Sequence, residues 1–542
     1  MVRHAGQAPT RIGRLDLLLF CAVLAIEAVL FLVYAEREIL WHQPENYDQA
    51  VYLVSSYQIE RALRGGDFAG MWPLLAYSVD MALQVEGAVL GLVFNSDRLA
   101  RLAVNFLVFA AAQGALVMTV WRLTGQRLFA VATLGLWLSQ LWWWQAAGGL
   151  FDFRADFSAA CLFGIWVCAM VTAPGRPLGR AVALCVAAAL AVVLQRIVAA
   201  SYIIAILAGF SLVSILAALG APGREAQRRL QHTLWTFALM VALVALYGGL
   251  KWPQVSEYYV LGHLVGDEKL ARAHELGLFS LVDHLVFYWR NLADTQAGVG
   301  FMGLAALALA VSAVVSAGGV RRLWPQIVLC ALAVVGPLAI LGIDVSKSTV
   351  VASIVGMPLA IGVGLVASAS TLHLPKLGRA LAMVLALGGG ANALWHWAQP
   401  LYSDARRDLT AVTDLALAVH EAMLRSGLVD QATLSVDAMS PLINAAAMTV
   451  TIHERTGALP TLHMGLGAHV DAIDSATHAA DLARSQMVIT TPFAGLGELP
   501  FDRSMRALAP QFAAIVARDF TLAATFPLSA GAVRLYVRRA AP

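Results

Sequence analysis

The stretch PENYDQAVYL, residues 44–53, comes shortly after a hydrophobic run at residues 15–34. An α-helix needs about 20 apolar residues to cross the hydrocarbon core, so this run predicts a membrane-spanning helix. Charged residues 36–38 follow it, where a cleavable leader would carry small residues, and we expect the span to be retained. The carboxylates of Glu45 and Asp48 therefore lie just beyond the membrane, where an aqueous pocket could open.

The composition predicts a polytopic membrane protein. Of the 542 residues, 59% are hydrophobic and 13% are charged, whereas soluble globular proteins carry roughly 25% charged residues. The net charge of +3 is too small to indicate a nucleic-acid partner. All five cysteines lie in apolar segments, so neither a disulfide framework nor a thiolate metal site is expected.

About eleven apolar segments are long enough to cross a membrane. They cover residues 15–34, 99–121, 128–147, 157–173, 180–196, 198–219, 231–250, 298–317, 325–342, 349–370 and 380–398. The predicted fold class is therefore a membrane all-α polytopic bundle of about 11 transmembrane helices. The bundle and its loops occupy residues 1–401, and residues 402–542 form a second domain.

The positive-inside rule orients these spans with the N-terminus in the cytoplasm. Each of the predicted cytoplasmic turns is then basic: Arg122 and Arg127, Arg176 and Arg180, Arg224, Arg228 and Arg229, Arg321 and Arg322, and Lys376 and Arg379. The outer side receives residues 35–98, 148–156, 251–297, 343–348 and the tail from Tyr402. Abundant Ala, Leu and Arg with little Lys indicate a bacterium, so we expect an inner-membrane protein whose outer side faces the periplasm.

The outer segments contain predicted structure of their own. Residues 48–64 and 72–94 carry apolar residues at helical spacing, which predicts two amphipathic helices at the membrane interface. The tail predicts a small periplasmic α/β domain. Its pattern indicates a helix at residues 404–426 and strands at 433–436, 487–491, 520–526 and 533–537.

Charged and polar residues suited to chemistry collect on the outer side. They are Glu45, Tyr47, Asp48 and Gln49, then Asp152, Arg154 and Asp156, then Arg196 at the end of the fifth span, and Lys347 before the tenth. A positioned carboxylate can take a proton from an acceptor hydroxyl. Cations can stabilise the charge that develops on a departing phosphate. The combination suits transfer of a group from a lipid phosphate.

In order and sidedness these features resemble the GT-C superfamily of polytopic glycosyltransferases, in particular the aminoarabinose and protein-mannosyl transferases. An acid, Asp48, follows the first span, and two juxtamembrane helices form the loop after it. A second acidic motif, residues 152–156, follows the third span, and a basic residue, Arg196, closes the fifth. Residues 347–359 and 523–539 are similar to a late outer turn and a final hairpin of that family. One departure is Gln49, because family members often place a second acid beside the first.

The resemblance implies an inverting glycosyltransferase. It would move a monosaccharide from a polyprenyl-phosphate carrier, such as undecaprenyl phosphate, to an envelope lipid, glycan or protein. It also implies roles. The catalytic acids would be Asp48, as general base, with Asp152 and Asp156; Arg154, Arg196 and Lys347 would bind the donor phosphate; and Glu45, Tyr47 and Gln49 would position the acceptor or sugar. A divalent cation, Mg²⁺ or Mn²⁺, is compatible with these acids, but no cofactor is required by them.

Structural roles compete with these assignments. Asp48 could cap the helix that follows it. Asp152 and Asp156 flank Arg154 and could form an ion pair with it. Arg196 and Lys347 could be snorkelling anchors.

Other polar or aromatic features have simpler interpretations. Glu27 within the first span would pair with a cation or face a cavity. Residues 142–144, three tryptophans, suit an aromatic belt, and the glycines at 388–390 suit close helix packing. The histidines of the tail lack the helical spacing of a metal site.

Two other functions remain open from the sequence. A transporter or flippase of lipid-linked sugars would need polar groups near the bilayer midplane and paired repeats. A non-catalytic assembly or sensor protein would bind a partner through its outer domain. The sugar, the acceptor, the metal dependence and the oligomeric state do not follow from the sequence.

Overall fold

The computed structural model describes residues 13–44, 47–77, 80–94, 97–220, 223–315, 320–343, 351–402, 406–467, 472–494 and 500–539. Within them, 10 helical stretches are long and apolar enough to cross a membrane. The predicted all-α polytopic bundle is therefore confirmed. Predicted residues Glu45 and Lys347 lie outside the described residues.

The first span and the first outer loop supply four helices. They are α1 (Arg14–Tyr34), α2 (Tyr47–Gly65), α3 (Phe68–Tyr77) and α4 (Ala82–Val93). The single helix expected at residues 72–94 is wrong, because α3 and α4 are separate. Asp80 lies between them with a buried carboxylate that accepts a hydrogen bond from the backbone N–H of Ile197 at 2.9 Å. This contact accounts for the break.

The next helices form the centre of the bundle. They are α5 (Arg98–Thr124), α6 (Arg127–Leu138), α7 (Ala155–Thr172), α8 (Leu178–Gln195), α9 (Ala199–Gly220) and α10 (Arg224–Leu250). The span expected at residues 128–147 is wrong in length, because α6 has only 12 residues. Beyond it, Trp142 and Trp143 turn into the core, and the Trp143 indole N–H donates to the Trp137 carbonyl at 3.0 Å. The aromatic-belt interpretation is therefore wrong for these two residues.

The remaining membrane part begins with a helical loop, which the sequence predicts to lie outside. Its helices are α11 (Trp252–Val255), α12 (Asp267–Leu276) and α13 (Leu281–Arg290), followed by α14 (Gly298–Val315), α15 (Val320–Leu341), α16 (Gly356–Ser370) and α17 (Pro375–Ala398). Helices α6 and α17 touch at glycine: a Cβ on Gly389 would lie 2.2 Å from the carbonyl oxygen of Gly135. Close packing, predicted for residues 388–390, is confirmed at this position.

The tail folds around one five-stranded sheet. Its elements are α18 (Arg406–Arg425), β1 (Gln431–Val436), α19 (Ala445–Thr456), β2 (Thr461–Met464), α20 (Ser475–Arg484), β3 (Met487–Thr490), α21 (Pro500–Asp519), β4 (Phe520–Leu528) and β5 (Gly531–Arg538). The strand order is β2-β1-β3-β5-β4, with β1 parallel to β2 and β3, and β5 antiparallel to its neighbours. The sequence missed β2, whose four residues lack a buried alternation.

Ion pairs and hydrogen bonds fasten this tail to the first outer loop. Glu454 of α19 binds the Arg98 guanidinium at 3.1 Å and accepts a hydrogen bond from the Tyr57 hydroxyl at 3.2 Å. Beneath them, the buried Arg101 guanidinium lies over the Tyr57 ring at 4.2 Å and pairs with buried Glu60. The sheet is thereby held against α2, the helix that carries Asp48.

Within the first span, Glu27 has an amide partner. The Gln113 side chain donates to its carboxylate at 2.5 Å. This hydrogen bond explains how Glu27 is accommodated. The predicted cation partner and the predicted cavity are not needed to explain its burial.

Candidate functional site

Four elements bring six charged side chains together at the end of the bundle that the sequence predicts to lie outside. This outer charged cluster consists of Asp48, Asp80, Asp152, Arg154, Asp156 and Arg196. Five of the six were predicted from the sequence and come from α2, the turn before α7, α7 itself and the end of α8. The sixth, Asp80, was missed, because it lies in a short segment without a recognisable motif.

Asp48 is the accessible acid of this cluster. It stands in the first turn of α2, whose first residue is Tyr47, so it is inside the helix and not at the N-cap position. A carboxylate there is favoured by the helix dipole. Its side chain is 54% exposed, and its Oδ2 atom lies 3.9 Å from Nη1 of Arg154.

Asp152 is fixed by its backbone surroundings. Gly148 adopts φ +80, in the left-handed region that favours glycine, and its N–H donates to Oδ2 of Asp152 at 2.6 Å. The Asn105 side chain donates to the Asp152 carbonyl at 2.9 Å. Arg154 Nε donates to the same carboxylate oxygen as Gly148, at 2.5 Å. Asp152 therefore holds the Arg154 guanidinium in place.

Burial and ion pairing have opposite effects on the pKa values of Asp152 and Arg154. Burial raises the pKa of Asp152 to about 6, although the Arg154 cation acts in the other direction. For Arg154, burial lowers the pKa, but the carboxylates of Asp152, Asp156 and Asp48 outweigh it and leave the pKa above its ordinary value. Arg154 is thus a permanent cation, and Asp152 is mostly ionised at neutral pH.

Arg154 also has a hydrogen-bond donor that no described residue uses. Its Nη2 atom is buried and has no hydrogen-bond partner among the described residues, and the same holds for Oδ1 of Asp152. A buried donor without a partner costs about 1–3 kcal/mol, which a bound anion would recover. The free donor stands on the same guanidinium that lies beside exposed Asp48.

Arg196 forms ion pairs with two acids. Its Nη1 atom lies 2.6 Å from Asp80, and its Nε atom lies 3.1 Å from Asp156. Nη1 also donates to the Tyr52 hydroxyl at 3.2 Å. These contacts join the end of α8 to α2, α7 and the break between α3 and α4. Arg196 is therefore a buried, neutralised cation and not a surface anchor.

Tyr47 and Gln49 flank Asp48 but differ in their surroundings. Gln49 is buried and donates to the Phe151 carbonyl at 3.3 Å, so it ties α2 to the turn before Asp152. Tyr47 is half-buried, and burial, followed by the nearby Asp48 charge, raises its pKa. Of the two, Tyr47 is the one with exposed surface.

The predicted Mg²⁺ or Mn²⁺ ion would need oxygen ligands from the acids of this cluster. In the described ranges, no three His, Cys, Asp or Glu side chains come together as metal ligands. Asp152 and Asp156 are both ion-paired with guanidinium groups, whereas Mg²⁺ needs free oxygen ligands in octahedral geometry. Binding of a divalent cation therefore stays a prediction, which the arrangement of these acids does not test.

Comparison with known proteins extends this picture at the level of fold. No protein-family model matches the sequence, and no curated protein matches it. Among solved structures, the crystal structure of ArnT from Cupriavidus metallidurans bound to undecaprenyl phosphate matches over 96% of this chain and 97% of its own, with a TM-score of 0.53 and 12% identity. The chain shares the fold of ArnT. The fold expected from the sequence is confirmed to that extent.

Archaeal oligosaccharyltransferases give weaker matches. The Archaeoglobus fulgidus enzyme crystallised with Zn and sulfate matches over 94% of this chain and 72% of its own, with a TM-score of 0.49 and 13% identity. AglB from Archaeoglobus fulgidus, in complex with an inhibitory peptide and a dolichol-phosphate, has a TM-score of 0.48 and 12% identity.

Proposed function

We propose that this protein is an inverting glycosyltransferase that moves a monosaccharide from a polyprenyl-phosphate carrier to an acceptor on the outer side of the membrane. One observation carries the proposal: an exposed carboxylate, Asp48, lies 3.9 Å from a buried guanidinium, Arg154, that has an unused donor. Such a pair supplies a proton acceptor and an anion-binding group together. The fold of ArnT, a protein crystallised with undecaprenyl phosphate, is consistent with a lipid-phosphate donor.

The reaction follows from these two side chains. Asp48 accepts the proton of an acceptor hydroxyl, whose oxygen forms a bond to the anomeric carbon of the sugar. The bond between that carbon and the phosphate oxygen breaks, and the polyprenyl phosphate leaves with the bonding electrons. Arg154 stabilises the charge on the departing phosphate. Attack opposite the leaving group inverts the anomeric centre.

The buried acids support this pair and do not react. Asp152 and Asp156 hold Arg154 and Arg196 at 2.5 and 3.1 Å, respectively. We assign Arg196 a positioning role, because its Nη1 and Nε atoms face the buried acids Asp80 and Asp156 and not the exposed acid Asp48. Lys347 remains a proposed second cation for the phosphate. Glu45, Tyr47 and Gln49 remain proposed contacts for the acceptor or sugar, with Tyr47 the best placed of the described two.

A labelled-donor experiment tests the function. The purified protein is reconstituted into liposomes with a radiolabelled polyprenyl-phosphate sugar and extracted bacterial envelope acceptors. We expect label to move from the carrier to an acceptor. Label that crosses the bilayer while still on its carrier would instead establish the flippase alternative. Label that does neither, with an active control transferase in the same vesicles, would contradict both functions.

A further inference from the structure

A cleft opens at the end of the bundle opposite the outer charged cluster. Helix α7 begins beside the cluster at Asp156 and reaches the cleft at Met170, roughly 20 Å away at 1.5 Å per residue. The cleft is narrow, with about 10 Å³ of space for water-sized groups, and Met170, Phe210, Arg229, His232, Gln326 and Leu329 line it. We call it the basal cleft. It plays no part in the reaction proposed above.

Two buried donors in the basal cleft have unused atoms. Arg229 is 8% exposed and His232 is 4% exposed. Nε of Arg229 and Nδ1 of His232 are buried and have no hydrogen-bond partner among the described residues. Gln326, on the facing helix α15, has a free buried amide oxygen as well. Groups of this kind are stabilised when a ligand brings complementary polar atoms.

The arginines on and near the lining indicate the sign of the charge on that ligand. The sequence segments 223–229 and 320–324 contain five arginines and one glutamate, Glu225. Glu225 pairs with Arg229 at 3.2 Å, but its side chain is largely exposed, and exposed pairs contribute little. Of these arginines, Arg229 lines the cleft, and exposed Arg224 and Arg228 precede it on α10. The ligand should therefore be an anion.

The walls beside the cleft are suited to a lipid. Helix α10 exposes Leu234, Trp235 and Leu239 directly after the polar residues, and α9 exposes Leu212 and Leu216. A tryptophan near a cation is typical of the bilayer interface. Basic pockets between transmembrane helices bind anionic headgroups. A soluble anion would make no use of this apolar surface.

We propose that the basal cleft binds the phosphate of an anionic phospholipid in the leaflet opposite the outer charged cluster. Arg229 and His232 donate to the phosphate oxygens, and the acyl chains lie along α9 and α10. The proposal is independent of glycosyl transfer, because the cleft shares no residue with the outer charged cluster.

Native mass spectrometry of the detergent-solubilised protein tests this site. The probes are palmitoyl-oleoyl phosphatidylglycerol and its phosphatidylcholine counterpart. We expect wild type to retain phosphatidylglycerol preferentially, and Arg229→Gln to weaken that binding roughly tenfold, the effect of one lost charge-assisted hydrogen bond. The matched control is Arg228→Gln, which removes the same charge from an exposed neighbour on α10 and should change binding less than about twofold.

Several results would overturn the proposal. Equal losses in Arg229→Gln and Arg228→Gln would mean diffuse attraction without a site. Competition by glycerol phosphate as effective as by the lipid would mean a soluble anion. If Arg229→Gln fails to fold, His232→Ala is the second variant, and unchanged phosphatidylglycerol binding in that variant would also reject the site.

Discussion

At the scale of single residues, two arginines of the outer charged cluster differ in their distance from the exposed acid. Arg196 pairs with the buried carboxylates of Asp80 and Asp156, whereas Arg154 lies 3.9 Å from exposed Asp48 and has a buried Nη2 atom without a hydrogen-bond partner among the described residues. The sequence predicted both as phosphate ligands, because it shows an arginine near the end of a span in each case and does not show its partners. Only their three-dimensional partners separate an anion-binding role from a positioning role.

Removing Asp80 should destabilise the protein without changing any group that meets substrate. In Asp80→Asn, Arg196 loses one of its two acids, and breaking a buried ion pair costs about 3 kcal/mol. We expect a lower thermal midpoint in detergent than for Asp294→Asn, a control with the same charge loss at an exposed outer position. The double variant Asp80→Asn with Arg196→Gln should recover part of the loss. Equal midpoints for the two single variants would contradict this account of Arg196.

Asp437 should make the stability of the outer sheet depend on pH. Burial raises its pKa to about 6, although hydrogen bonds from Thr491 act in the other direction. Between pH 4 and 6 the folded protein therefore binds a proton that the unfolded chain has released. Stability from this group is fully present below pH 4 and is lost as the pH rises through about 6, a change on the order of 3 kcal/mol.

Asp437→Asn should remove that dependence while keeping an acceptor for Thr491. Hydrogen-exchange protection of β1 and β3 in the full-length protein reports it, since all the tryptophans precede residue 398. We expect a flatter profile between pH 4 and 6 than for wild type or for Asp430→Asn, an exposed control at the other end of β1. A profile that is unchanged in Asp437→Asn would contradict the assignment.

At the scale of elements, hydrophobic pattern predicted most spans but not where all of them end. Residues 139–147 are apolar enough to extend α6, yet the helix ends at Leu138 because Trp142 and Trp143 pack inward against Trp137 and Phe157. Similarly, residues 72–94 split at Asp80, whose partner Arg196 is over 100 residues away in sequence. Such tertiary contacts leave no periodic signal, so the sequence could not have shown them.

The close packing of α17 against α6 predicts that two neighbouring glycines, Gly389 and Gly390, differ in their effect on stability. A Cβ on Gly389 would lie 2.2 Å from a backbone oxygen of α6, while a Cβ on Gly390 would meet nothing within 4 Å. Gly389→Ala must therefore push α17 away from α6, and we expect destabilisation of about 2 kcal/mol, in the range for overpacked sites. Gly390→Ala should be neutral or slightly stabilising, because alanine favours helix. Similar thermal midpoints for the two variants would contradict the packing.

At the scale of the whole molecule, composition and charge asymmetry predicted the class of fold well. The apolar spans and the α/β tail are both present, and the first outer loop and the tail meet through Glu454, Arg98 and Tyr57. The sequence could not predict this contact, because it joins charged residues more than 350 positions apart. It also could not predict the basal cleft, which arises only where α7, α9, α10 and α15 meet.

Cysteine labelling tests the proposed orientation. In a Cys21→Ser background, which removes the exposed native thiol, Val429→Cys places an exposed thiol in the tail. Arg228→Cys places one on α10, next to Arg229 of the basal cleft. A membrane-impermeant maleimide added to bacterial spheroplasts should label Val429→Cys only, with both labelled after lysis. Labelling of Arg228→Cys alone would reverse the orientation and place the outer charged cluster in the cytoplasm.

The most direct test of the central claim is the rate of sugar transfer by Asp48→Asn in proteoliposomes. A general base contributes roughly 10²–10⁴-fold to rate, so we expect at least a hundredfold loss with an unchanged thermal midpoint. Asp67→Asn, which removes an exposed acid from the same outer loop, should transfer at nearly the wild-type rate. Transfer by Asp48→Asn at the wild-type rate would show that Asp48 is not the base and would contradict the proposed mechanism.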